Sequence, residues 1–221
     1  MKRQQSGFTL VEIAIVLVII GLLLGGILKG QELINSAKVK NLANDFRVIP
    51  TYIYAYQDRF KALPGDDAAA STHLAGPPAA TNATTPGTVG NGVIEGQWNS
   101  TTTTDESYLF WQHVRMANLA AGTTDPTVPA SYIPLNSVGG KLGISSATTA
   151  LLQITGMTGT YQVCSGGIQG RFAKQLDVNM DDGNTQTGSM RVVPDGSSLP
   201  TAATATTAVV DGDAYTVCMT F

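Results

Sequence analysis

One carboxylate, Glu12, interrupts an otherwise apolar run over residues 8–28, and that pairing of length and charge limits this chain more than anything else in it. The 21 residues would form about 31 Å of helix at 1.5 Å each, the thickness of a bilayer's hydrocarbon core. An acidic group at the centre of such a helix costs roughly 2.5–3.5 kcal/mol, so Glu12 belongs near one end of the span, beside a compensating charge, or both. Cleavage after Gly7 would supply that charge, because the new amine of Phe8 would stand one helical turn before Glu12, within reach of the carboxylate of its own or a neighbouring chain. Lys2 and Arg3 precede the run, which puts the N-terminus in the cytoplasm and exports the chain beyond Lys29, although Lys38, Lys40 and Arg47 weaken the contrast.

The basic Lys2 and Arg3, the Gly7-Phe8 junction, the Thr9-Leu10-Val11-Glu12 sequence behind it and an apolar run of membrane length together resemble the type IV prepilin family, which includes the pseudopilins of type II secretion. The resemblance implies that a peptidase of the bacterial inner membrane removes a leader, residues 1–7, and N-methylates Phe8. It implies that Glu12 guides assembly, and that the partners are copies of the chain and other pilins, the prepilin peptidase, an assembly platform, and lipid before assembly. The protein would then be a single-pass inner-membrane precursor, its N-terminus cytoplasmic, destined for an extracellular or periplasmic filament. A conventional signal peptide is cut after its apolar core; here the only motif-like site precedes it, so the apolar segment stays with the product. The bland alternative is a plain signal anchor with a chance Glu. Many pilins have a proline in the later apolar segment. This chain has none in residues 8–28 and has Gly21, Gly25, Gly26 and Gly30 in that region, which allow either close helix packing or local melting.

Beyond the span, Val39, Leu42, Phe46, Ile49, Ile53, Tyr56 and Phe60 recur at steps of three and four, the signature of one apolar stripe on a helix. Pro50 removes one backbone donor, but the stripe resumes in phase, which predicts a bend rather than a stop. The expected organisation is a leader (1–7), a transmembrane and filament-core helix (8–28), an amphipathic stalk helix (29–60) and one globular head (61–221). The stalk and span carry five basic and four acidic residues, whereas the head carries six and twelve. An acidic head opposes strong nonspecific nucleic-acid binding, which draws its affinity from Lys and Arg.

In the head, Leu63-Pro64-Gly65-Asp66-Asp67 opens an Ala/Thr/Pro/Gly-rich stretch to Gly96 that reads as a long loop, with Val93 and Ile94 as a short anchor. A helix is predicted over residues 106–121, with Asp105 as N-cap, Gly122 past its end, and one apolar face formed by Phe110, Val114, Ala117 and Ala121. Strands are predicted at residues 131–135, 151–155, 160–163, 190–193 and 214–221, the last alternating as a half-buried strand should. The fold class is α+β: a long N-terminal helix, transmembrane in its first half and amphipathic in its second, packed on a small antiparallel sheet with long loops.

Cys164 and Cys218 both fall in the exported head, so a disulfide is expected, with two buried free thiols as the alternative. No cofactor is expected, with one exception to weigh. Asp177, Asn179, Asp181 and Asp182 place oxygen ligands at calcium-loop spacing, and the resemblance to pseudopilins, some of which bind calcium in the head, adds to it. The match to an EF-hand is partial, because Asp182 occupies the sixth position and Gly188 the twelfth. Phe172, Leu176 and Met180 also have helical spacing, which would make Asp181-Asp182-Gly183 a helix-ending turn. Two histidines, His73 and His113, lack zinc-site spacing, and no nucleophile elbow, P-loop or dinucleotide fingerprint occurs. The chain therefore reads as a structural filament subunit and not an enzyme. The alternative is a minor pilin or pseudopilin whose head is a binding or adhesion module or a secretion-system component. A membrane-anchored hydrolase would need a polar cleft that these residues do not assemble.

Overall fold

A computed structural model describes residues 9–147 and 153–221. The apolar run and the stripe behind it form one helix, α1 (Leu10–Phe60), which continues through Pro50 to Phe60. The chain divides into two units at Lys38 and Val39. In the first, residues 9–29 are all exposed, and Lys29 pairs with Glu32 at 2.7 Å. In the second, the stripe predicted from spacing is buried from Val39 to Tyr56, with Phe60 partly covered.

The rest of the second unit is a short helix α2 (Ala70–His73), helix α3 (Glu106–Met116), a one-turn helix α4 (Pro129–Tyr132), strand β1 (Leu142–Ser146), strand β2 (Tyr161–Gln169), helix α5 (Gly170–Met180), and strands β3 (Met190–Pro194) and β4 (Ala214–Thr220). The strands form one antiparallel sheet in the order β1-β2-β4-β3, with a register shift in β2 between Ser165 and Ile168. The stripe of α1 (Leu42, Phe46, Ile49, Ile53) meets Phe110 and Val114 of α3, Phe172 and Leu176 of α5, and Ile144, Val163, Val192 and Val217 of the sheet. Each such side chain withdrawn from water contributes about 1.5–3 kcal/mol, which is why the stripe holds its phase past Pro50.

Several expectations need correction. β4 is not half-buried: Tyr215 and Val217 face the main core, while Cys218 joins Trp98, Ile154, Met157, Cys164, Val193 and Leu199 in a second cluster on the opposite face. Long loops cover that face, so both sides of the sheet are dry. Residues 131–135 are not a strand; the α4 turn occupies their start, and Leu135 makes only an isolated bridge to Lys141. Of the strand expected at 151–155, residues 151 and 152 lie outside the described residues, and Ile154 makes an isolated bridge to Thr201. The helix predicted to reach residue 121 stops at Met116. Asn118 adopts φ 61°, and the Asn118 and Leu119 amides donate to the Arg115 and Val114 carbonyls at 3.0 and 2.9 Å, a helix-ending pattern that Asn supplies in place of Gly.

Candidate functional site

Glu12 lies in the first turn of α1, and Thr9 stands just ahead of it. The Thr9 N–H and hydroxyl donate to Glu12 Oε2 at 2.8 and 2.7 Å, and the Glu12 N–H donates back to Thr9 Oγ1 at 3.3 Å. This reciprocal arrangement is a capping box, which satisfies amides that have no partner inside the helix. It also sets the carboxylate where the helix dipole is positive. The signal was present in the sequence as Thr-x-x-Glu before an apolar run. Gly7 and Phe8, the expected cleavage and methylation residues, lie outside the described residues.

Behind the cap the helix is apolar on every side and covered on none. Leu10 is 91 % exposed and Leu22 73 %. A contiguous apolar surface of this extent exceeds what a soluble chain leaves in water, so it needs lipid or other helices. A Cβ added at Gly21, Gly25, Gly26 or Gly30 would meet nothing within 4 Å among the described residues.

In the head, α3 is buried all round instead of on one face, because loops supply partners to its polar side chains. Gln112 accepts the Thr81 amide proton at 2.8 Å and donates to Thr124 O at 3.0 Å. Arg115 donates to the carbonyls of Thr123 and Tyr132 at 3.0 and 2.7 Å. His113 Nδ1 accepts the Gly65 N–H at 2.9 Å, which leaves the proton on Nε2 to donate to Thr81 O at 2.9 Å. Burial holds this imidazole's pKa below its ordinary value. The two adjacent aspartates diverge. Asp66 accepts the amides of Gly90, Asn91 and Gly92, whereas Asp67 accepts the Tyr56 hydroxyl at 2.7 Å, pairs with His73 Nδ1 at 2.7 Å and accepts the Ala69 amide at 2.9 Å. Glu106 accepts the Glu95 amide through Oε2 at 2.7 Å, while its Oε1 has no partner. Burial lifts the Glu106 pKa to about 8, and the nearby Asp66 and Glu95 charges push the same way.

These groups build the head and are committed to it. An open groove of about 620 Å³ runs past Tyr54, Gln57, Lys61, Asp66, Asp67 and Tyr161, yet both of its aspartates are occupied by the bonds just described. Among the described residues, neither histidine touches a nucleophile poised for attack, so the groove offers no acid/base or nucleophilic constellation.

Cys164 and Cys218 sit opposite one another on β2 and β4 and are joined by a disulfide. Both are fully buried. Of the four candidate calcium ligands, Asp177 and Asn179 lie on α5, two residues and so about 200° apart around the helix, and Asn179 is exposed. Asp181 and Asp182 come just after the helix end. One carboxylate oxygen from each of Asp177, Asp181 and Asp182 lies within 4.8 Å of the other two. Asp177 is fully buried, and neither of its oxygens accepts a hydrogen bond of proper geometry, although the Gly183 and Asn184 amides approach it.

No curated protein and no solved structure gives a significant match to this chain. The family described as the prokaryotic N-terminal methylation motif matches residues 2–28, which include Gly7 and Phe8, the capping box and the whole apolar run. That motif is the hallmark of type IV pilin and pseudopilin precursors, which this chain resembles over those residues.

Proposed function

We propose that the protein is a structural subunit of a type IV pilus or pilus-like filament. It is inserted in the bacterial inner membrane through residues 8–28, cut after Gly7 by a prepilin peptidase, methylated at Phe8, and added through α1 to a growing fibre of its own and other pilins. The observation that carries this reading is the coincidence of the methylation motif with a helix whose apolar surface is bare over residues 9–29. Lipid covers that surface before assembly, and neighbouring helices cover it afterwards. Glu12 acts by charge: its cost in an apolar medium is offset by the new amine of Phe8, in the same chain or the next, and that pairing sets the axial position of the incoming subunit. The head works as a packed, disulfide-bonded body and not as a catalyst.

Glu12→Ala tests this role. Membrane insertion and head folding should be intact and incorporation into filaments lost. Normal incorporation of the variant would contradict the charge-pairing account.

A further inference from the structure

The geometry points to a sugar-binding site at one end of the sheet, where Trp98, Asn99, Lys141 and Asp195 line a pocket of about 410 Å³. The site goes beyond the filament role and does not depend on it. Four stretches distant in sequence meet there: residues 98–99, the turn at 138–141, the irregularity of β2 between Ser165 and Ile168, and the turn after β3 at 195–196. The pocket has the size of a small-molecule site, and strand irregularities of this kind recur beside such sites.

The walls are fixed by bonds among themselves. Asn136, 6 % exposed, accepts the Val138 and Gly140 amides through Oδ1 at 3.0 and 2.9 Å. Its Nδ2 donates to Ser165 Oγ and Gly166 O, both at 2.8 Å. The Gly166 amide donates to Lys141 O at 2.9 Å, and Asp195 Oδ1 accepts the Gly167 amide at 3.0 Å and the Thr216 hydroxyl at 2.8 Å. Two glycines leave no room for a side chain. A Cβ at Gly140 would collide with Gly166 O, and one at Gly166 would come within 3.0 Å of Asp195 Oδ1 and 3.3 Å of the Trp98 ring. The pocket is therefore preformed, which spares a ligand the cost of ordering it.

Several polar groups of the lining remain uncommitted. Trp98 is only 8 % exposed, and a tryptophan buried that far normally gives its N–H to an acceptor. This indole N–H makes no hydrogen bond among the described residues, nor is it sealed from solvent. The exposed Asn99 carboxamide and Asp195 Oδ2 have no partner among those residues either, and Lys141 joins no ion pair. The set therefore combines an acceptor (Asp195 Oδ2), donors (Trp98 and Lys141) and a group that is both (Asn99). Hydroxyls on neighbouring carbons of a pyranose ring donate and accept at once, and they match such a set. One ammonium balanced by one carboxylate gives the pocket no net charge, which disfavours a phosphate or a metal ion. Gly139 and Gly196 bring bare backbone to the rim, where a flat ring can approach closely.

The test is saturation-transfer NMR and calorimetry on the full chain, held in a detergent without a sugar headgroup. The probes are glucose, galactose, mannose and N-acetylglucosamine, with the zwitterion glycine as control. At least one sugar should bind with a Kd of about 1 mM or tighter, and glycine should not. Asn99→Ala and Lys141→Ala, at exposed positions that hold no other part of the head, should each weaken that binding about tenfold or more and leave Tm unchanged. No binding of any of the four sugars would overturn the site. Undiminished affinity in both variants, or an equal response to glycine, would overturn it as well.

Discussion

Thr9 and Glu12 hold each other at the start of α1, the threonine giving two protons to Glu12 Oε2 at 2.8 and 2.7 Å and receiving the Glu12 amide in return at 3.3 Å. Glu12 therefore has two separable properties, a cap and a charge. Gln can take the Glu position of a capping box, so Glu12→Gln keeps the cap and removes the charge, whereas Thr9→Ala removes the cap and keeps the charge. Losing a cap costs about 1 kcal/mol and frays only the first turn. We expect filament incorporation, scored by immunoblot of sheared filaments, to fail for Glu12→Gln and to persist for Thr9→Ala. The reverse pattern would assign the role to the cap.

The second half of α1 is held by the head, and Ile49 is fully buried among the core side chains. Ile49→Ala should cost ~2–5 kcal/mol of head stability. Leu17, 64 % exposed, should tolerate alanine with no change in head Tm. Comparable losses for both would mean that the stripe does not anchor the head.

The disulfide joins residues 54 apart in sequence, a loop whose closure restricts the unfolded chain by about 4 kcal/mol as an upper figure. Replacing Cys164 and Cys218 together with Ser should lower Tm by on the order of 10 °C. An unchanged Tm would show that the second-face cluster around Trp98 and Leu199 is sufficient without it.

Glu106 gives the head a pH dependence of defined sign. Its pKa rises from 4.5 to about 8 on folding, so the folded state holds the proton more tightly than the unfolded one. The stability from this group is complete below about 4.5 and is lost as pH climbs to about 8. His113, buried neutral with its pKa held below 6.5, acts in the opposite sense, losing stability as pH falls below that value. Glu106→Gln should flatten the decline of Tm with rising pH and leave the acid limb set by His113 in place. Parallel Tm profiles for the parent and the variant would contradict the assignment.

The sequence made some of these features legible and hid others for physical reasons. The stripe from Val39 to Phe60 and the paired cysteines could be read because one periodicity or one pairing determines each. β1 was missed because all five of its residues are buried, so it has no alternation to read. β2 was cut short at Val163 because Gly166 and Gly167 fall at its irregularity, where strand propensity gives no signal. α5 announced itself only through Phe172, Leu176 and Met180. The complete burial of α3 was hidden because its polar residues find their partners in loops distant in sequence, at Gly65, Thr81 and Thr124. The cap of Thr9 and Glu12 is written in the sequence as Thr-x-x-Glu ahead of an apolar run. The contact between Asp177 and the two aspartates past the helix end depended on where α5 stops, which spacing alone left open.

The central claim is that the apolar helix stays with the product and begins at a modified Phe8. Mass spectrometry of the N-terminal peptide from the exported protein measures this directly. The account predicts a mature chain starting at N-methylated Phe8. An intact Met1, or a chain beginning after Leu28, would contradict it.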